Sequence, residues 1–138
     1  MEIKFQVFKT ARGYFLTTNI PKDAEDIPVR ELIEASLKKW ETIVNWLQEN
    51  PGLVLWDGGA STCPLCARFS NCEDCPIAKT ASDFCEGTPY QDYLEARSRR
   101  DAAKASASAK AEVKFLRELL KNYQPKRRGC NEKDAKVR

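Results

Sequence analysis

The sequence predicts an α+β fold: an N-terminal β-hairpin packed on an α-helix, then a cysteine-rich loop, then a long C-terminal helix. Three observations carry this expectation. Apolar residues alternate with polar ones at Ile3, Phe5 and Val7, the two-residue period of a half-buried strand. Val29, Leu32, Ile33, Leu37, Trp40, Ile43, Val44 and Leu47 recur at the spacing of one helix face. Five of the six cysteines lie between Cys63 and Cys85, in a segment with neither period.

The first strand leads through Thr10-Ala11-Arg12-Gly13 to Tyr14-Phe15-Leu16-Thr17-Thr18, rich in aromatic and β-branched residues. The pair reads as a hairpin with a four- or five-residue turn. A two-stranded hairpin is marginal alone, so the helix opened by Asp26-Ile27-Pro28 and stopped by Asn50-Pro51-Gly52 is expected to cover it. On this reading Trp40 and Trp46 are core residues. Leu53-Val54-Leu55-Trp56 is a candidate third strand before the turn Asp57-Gly58-Gly59.

Thr88 is the expected N-cap of a second helix that starts at Pro89 and ends near Tyr123. A helix of roughly 35 residues would be about 50 Å long, more than a domain of this size covers. Either its partner is another chain, as in a homodimer, or it breaks near Ser106–Ser108. Its middle, Ala102 to Ala111, is rich in alanine and serine: a solvated helix or the close-contact surface of a helix pair. Leu116, Leu119, Leu120 and Tyr123 are candidate anchors for a protein partner in the helix-in-groove manner. The alternative is that they pack under the first helix against Trp40 and Leu47. The expected organisation is therefore 1–56 hairpin plus helix, 57–88 cysteine loop, 89–124 long helix, and 125–138 a basic, disordered tail in which Cys130 stands alone.

The cysteine segment reads Cys63-Pro-Leu-Cys66, Cys72-Glu-Asp-Cys75-Pro76, then Cys85. A Cys-x-x-Cys turn brings two sulfurs to one side of a tight loop, and two such turns can complete a tetrahedral site. The chain has no histidine, so a transition-metal site here is built from thiolates. Zinc is the expected ion, making this a zinc finger-like staple that orders its own loop. Two ligand sets fit: Cys63, Cys66, Cys75 and Cys85, or Cys63, Cys66, Cys72 and Cys75. An iron–sulfur cluster is the alternative, since Cys-Pro recurs in cluster-binding runs, although the gaps differ from the compact ferredoxin spacing. Thiol redox chemistry is disfavoured by Glu73 and Asp74 inside one pair, whose charges oppose a free thiolate.

Charge narrows the partners. The formal net charge is +3, but residues 126–138 hold six basic and two acidic side chains, leaving −1 on residues 1–125. The segment 57–88 has two basic and five acidic side chains, a net of −3, which counts against the cysteine loop gripping phosphates. Nucleic-acid binding through Arg97, Arg99, Arg100 and the tail is thus the less favoured reading, behind a protein partner. No apolar run reaches the roughly 18 residues of a membrane span, and the first residues do not form a secretory signal. A cytoplasmic setting is expected. Without histidine, a glycine-rich phosphate loop or an open metal position, the chain is not expected to be an enzyme.

Taken together, Cys63-Pro-Leu-Cys66, Asn71-Cys72-Glu-Asp-Cys75-Pro76-Ile77, Cys85-Glu-Gly-Thr88-Pro89-Tyr90 and Ala111-Glu-Val-Lys-Phe-Leu116 resemble uncharacterised small cysteine-rich proteins of bacteriophages and prophages. The likeness spans roughly residues 60–120. It implies a viral accessory protein in the host cytoplasm, with a metal-stapled loop feeding a helix. Its expected role is an adaptor or inhibitor of a host or phage protein, such as a nuclease or defence complex.

Overall fold

The computed structural model describes residues 3–21, 26–68 and 88–123. Strands β1 (Phe5–Thr10) and β2 (Gly13–Thr18) form the hairpin, α1 (Val29–Glu49) follows, and β3 (Leu55–Trp56) joins the sheet. A 3-10 turn at Gly59–Thr62 and a short helix α2 (Pro64–Arg68) lead into the cysteine segment. Helices α3 (Pro89–Ser98) and α4 (Ala102–Asn122) complete the described chain.

The sheet order is β1-β2-β3. β1 and β2 pair antiparallel from Phe5↔Thr18 to Thr10↔Gly13, so the turn is two residues, Ala11 and Arg12, shorter than the expected four or five. The Thr10 hydroxyl accepts the Arg12 N–H at 3.1 Å and donates to the Gly13 carbonyl, holding the reversal tight. Gly13 takes φ 138, open to a residue without a Cβ. β3 runs parallel to β2, pairing Leu55 with Tyr14 and Trp56 with Phe15. A parallel neighbour needs a crossover, and α1 is that crossover.

Helix α1 carries the expected apolar stripe. Leu32, Ile33 and Ile43 are fully buried, each stabilising the fold by about 1.5–3 kcal/mol. The stripe packs under Phe5, Leu16 and Leu55 from the sheet and against α4. Trp40 is buried, with edge-on contacts to Tyr90 and Tyr93 of α3. Trp46 is half-buried against Tyr14, with ring centroids 5.0 Å apart.

The C-terminal half departs from the single long helix. It breaks at Arg99–Asp101, not at Ser106–Ser108, and α4 folds back along α3. Asp101 N–H reaches Ala96 O at 2.9 Å and Arg100 N–H reaches Arg97 O at 3.0 Å, with Arg100 at φ 56. These are the two bonds and the left-handed residue of a Schellman ending. Asp101 also caps α4, its carboxylate accepting the Lys104 N–H at 3.1 Å. One three-residue link thus closes one helix and opens the next. The alanine-rich stretch is the close-contact surface of this pair: Ala96, Ala105 and Ala109 are fully buried, whereas Ala103, Ala107 and Ala111 face outward.

The same folding back moves the expected partner anchors inward. Leu116 and Leu119 are buried in the core, and Leu120 and Tyr123 pack half-buried against it. Arg30 of α1 donates to the Tyr123 carbonyl at 3.1 Å and lies over its ring. α1 and α3 thus cover Leu116 and Leu119, the packing weighed above as the alternative to a partner, while Leu120 and Tyr123 stay half-buried. Among the described residues no helix is long and apolar enough to cross a membrane.

The link residue Arg100 is strained by its side chain, since left-handed backbone costs a non-glycine residue about 1 kcal/mol. Arg100→Gly is therefore expected to stabilise the protein by about 0.5–1 kcal/mol in urea denaturation. An unchanged or lower midpoint would show that the Arg100 side chain matters more than the strain.

Candidate metal centre and its buried charge cluster

The centre begins at the end of β3. Asp57 follows Trp56, and two glycines, Gly58 at φ 91 and Gly59 at φ 57, turn the chain sharply into the 3-10 turn. At Gly58 a Cβ would lie 2.7 Å from the Thr62 methyl, so this position takes no side chain. The Thr62 hydroxyl donates to the Asp57 carbonyl, closing the loop that delivers Cys63.

The Asp57 side chain is fully buried and accepts four donors. Arg97 of α3 reaches Oδ1 at 2.7 Å. Oδ2 receives the Tyr90 hydroxyl at 3.0 Å, the Gly59 N–H at 3.1 Å and the Lys39 ammonium at 3.5 Å. Lys39 comes from α1 and is 3% exposed, close to the faces of Trp40 and Tyr90. The Arg97 guanidinium lies 4.2 Å from the Trp56 ring centroid. Burial, then the adjacent Asp57 charge, pushes the Tyr90 phenol far above its usual range, so it stays a neutral donor.

Cys63 stands beside this cluster, just ahead of Pro64 at the start of α2. Its Sγ accepts the Cys66 N–H at 3.4 Å, and the two cysteines form no disulfide. The Cys66 side chain, hydrogen-bonded to Cys63, lowers its pKa from 9.0 to about 6; the Lys39 charge and backbone N–H groups add to this while burial opposes it. These contacts favour the Cys63 thiolate, the form that binds metal. Leu65, between the two cysteines, is fully buried and fixes α2 to the core.

Glu112 of α4 completes the cluster. It is 3% exposed, and its Oε1 has no hydrogen-bond partner among the described residues. Burial raises its pKa from 4.5 to about 7; the Cys63 charge adds to the rise, and Lys39 and the Tyr90 backbone N–H restrain it.

Of the five expected metal ligands, Cys63 and Cys66 are held together at the start of one short helix. Cys72, Cys75 and Cys85 lie outside the described residues, as do Cys130 and the basic tail. Among the described residues no three cysteine, aspartate or glutamate side chains converge as a metal site. Arg97, expected as a phosphate contact, is committed to Asp57 with 17% of its side chain exposed, whereas Arg99 is 72% exposed.

Sequence reasoning missed Asp57, Lys39, Tyr90, Arg97 and Glu112 as one group. A signal was present. Lys39 falls on the inward stripe Leu32, Ser36, Ile43, and Glu112 on the stripe Ala105, Ala109, Leu116, Leu119. A charge at an inward position on each of two facing helices calls for a buried partner. No protein-family model, curated protein or solved structure matches the chain.

Two outcomes follow from the burial. Asp57→Ala leaves buried Lys39 and half-buried Arg97 uncompensated and is expected to cost about 3–5 kcal/mol in urea denaturation. A loss under 1 kcal/mol would show water already screens the pair. For Glu112, the folded pKa lies above the unfolded one, so the folded state holds the extra proton. Its stabilising contribution is complete below pH about 4.5 and is lost as pH rises to about 7. Glu112→Gln is expected to flatten stability across that window and to exceed the parent at pH 8 by on the order of 2–3 kcal/mol. Parallel pH profiles of the two proteins would contradict this.

Proposed function

We propose that the chain is a metal-stapled binding module without catalytic activity. In this reading Cys63 and Cys66 supply two thiolates of a structural zinc site, and two of Cys72, Cys75 and Cys85 supply the rest. The observation that carries it is the Cys66 N–H bond to Cys63 Sγ, on a helix start fixed by buried Leu65 and by the Asp57 turn. Zinc there would tie residues 69–87 to α2 and add its binding energy to folding. A site filled by four sulfurs has no position for a reacting water.

The likeness to cysteine-rich phage proteins supports an accessory role in which the module binds a macromolecule. Leu116 and Leu119 are buried, so on this reading the face offered to a protein partner excludes them, and Leu120 and Tyr123 remain half-buried at its edge.

Protein purified without added metal is expected to contain about one zinc per chain by elemental analysis. Cys63→Ser should lose the ion and become protease-sensitive between α2 and α3, while Cys130→Ser keeps both properties. Iron with sulfide would replace zinc by a cluster, and metal-free protein of unchanged protease resistance would remove the staple altogether.

A further inference from the structure

The order β1-β2-β3 leaves one side of β1 unpaired among the described residues, and its register with β2 runs from Phe5 to Thr10 without a bulge or a proline. Antiparallel pairing turns backbone groups alternately toward and away from the partner strand. Lys4 directs both of its groups to the β2 side, its N–H to the Asn19 carboxamide at 2.8 Å and its carbonyl to the Thr18 hydroxyl at 2.9 Å. The alternation therefore points the N–H and C=O of Val7 and Lys9 outward. Among the described residues no backbone bond from either one reaches outside the hairpin, and Val7 is half-buried and Lys9 exposed. Between them Phe8 is 46% exposed. Residues 3–21 hold Lys4, Lys9 and Arg12 and no acidic residue. Exposed Lys4 and Arg12 flank the two ends of β1, and Lys9 lies on it.

From these features we infer that the open edge of β1 receives an acidic, extended segment of a partner protein as an added strand. A row of outward N–H and C=O groups at strand spacing is matched by another peptide backbone, which carries the same alternation of donors and acceptors. Charge then selects among peptides. A strand laid along β1 passes Lys9 and has a cation near each end, so acidic side chains gain there and basic ones lose. A second copy of this chain would bring the same three cations against themselves. Lysine on an edge guards against pairing between copies by this repulsion, and the guard leaves an acidic strand attracted. An apolar side chain of that strand opposite Phe8 would cover the exposed ring. This inference deepens the binding-module reading by naming the face and the partner's chemistry; it rests on that reading's protein partner and not on the metal.

The test is amide hydrogen exchange of the full chain, read residue by residue by NMR, with a synthetic peptide of about ten residues that has valine and threonine at its centre and glutamate at both ends. The Val7 and Lys9 amides are expected to exchange fast in the free protein and about fivefold or more slowly with peptide in excess. The same peptide with lysine for glutamate should give no protection. Nor should the acidic peptide N-methylated throughout its centre, which keeps the charge and loses the backbone donors. The triple variant Lys4→Glu, Lys9→Glu, Arg12→Glu, its fold checked by circular dichroism, should reverse the choice and take the lysine peptide. No protection at about 1 mM acidic peptide would overturn the inference. Equal binding of the N-methylated peptide would also overturn it, since charge alone then holds the ligand. So would protection of the two amides by oligothymidylate, or by raised protein concentration without peptide, the mark of a second copy. Zinc content of the same samples decides the staple separately: protection in zinc-free protein supports the edge, and its absence in zinc-loaded protein overturns the edge alone.

Discussion

The structure depends on one carboxylate. Asp57 receives a lysine from the first long helix, an arginine and a tyrosine from the third, and a backbone N–H from its own turn. Without it, Lys39 could not lie inside and α1 would turn a cation toward the core. The same side chain ends the sheet, starts the turn toward Cys63 and fixes the roll of α3. Its geometry therefore links the turn that carries Cys63 and Cys66 to the hydrophobic core.

Charge explains the rest of the cluster. A buried and a half-buried cation share one carboxylate, an imbalance that favours any further negative group nearby. Lys39 accordingly favours both the Cys63 thiolate and the Glu112 carboxylate. The two respond differently because Cys63 accepts hydrogen bonds from Cys66, while Glu112 leaves one oxygen unpaired and is dominated by desolvation. A thiolate prepared in this way needs little rearrangement to accept a divalent cation, which is the condition for a staple that stiffens without distorting its anchor.

Much of the fold could be read from the residues alone, because it rests on local periodicity. The strand alternation at Phe5 and Val7, the stripe of α1, and Thr88 capping at Tyr90 N–H are short-range signals. The helix break was hidden because a Schellman ending is usually marked by glycine, and here arginine takes the left-handed position. The stripe ending in Leu116 and Leu119 announced a covering surface without saying whose. The charge cluster was hidden for the same reason: Asp57, Arg97 and Lys39 meet only through tertiary approach, though Lys39 and Glu112 stood out as charges on apolar stripes. Of the candidate metal ligands, the spacing of Cys63 and Cys66 corresponds to a local turn, and the remaining three lie outside the described residues.

The crossover between β2 and β3 bears on how the molecule comes into being. Tyr14 pairs with Leu55 only after α1 has been made and laid across the sheet, and Leu32 and Trp40 wait for α3 and α4. A ribosome that has released the hairpin and first helix has released a polypeptide whose lysine has no counter-ion and whose apolar stripe is uncovered. Such sequence-distant pairing delays productive collapse and lengthens the exposure of sticky surface. The nascent chain is thus committed to folding late, once the segment that carries Leu116 has cleared the exit tunnel.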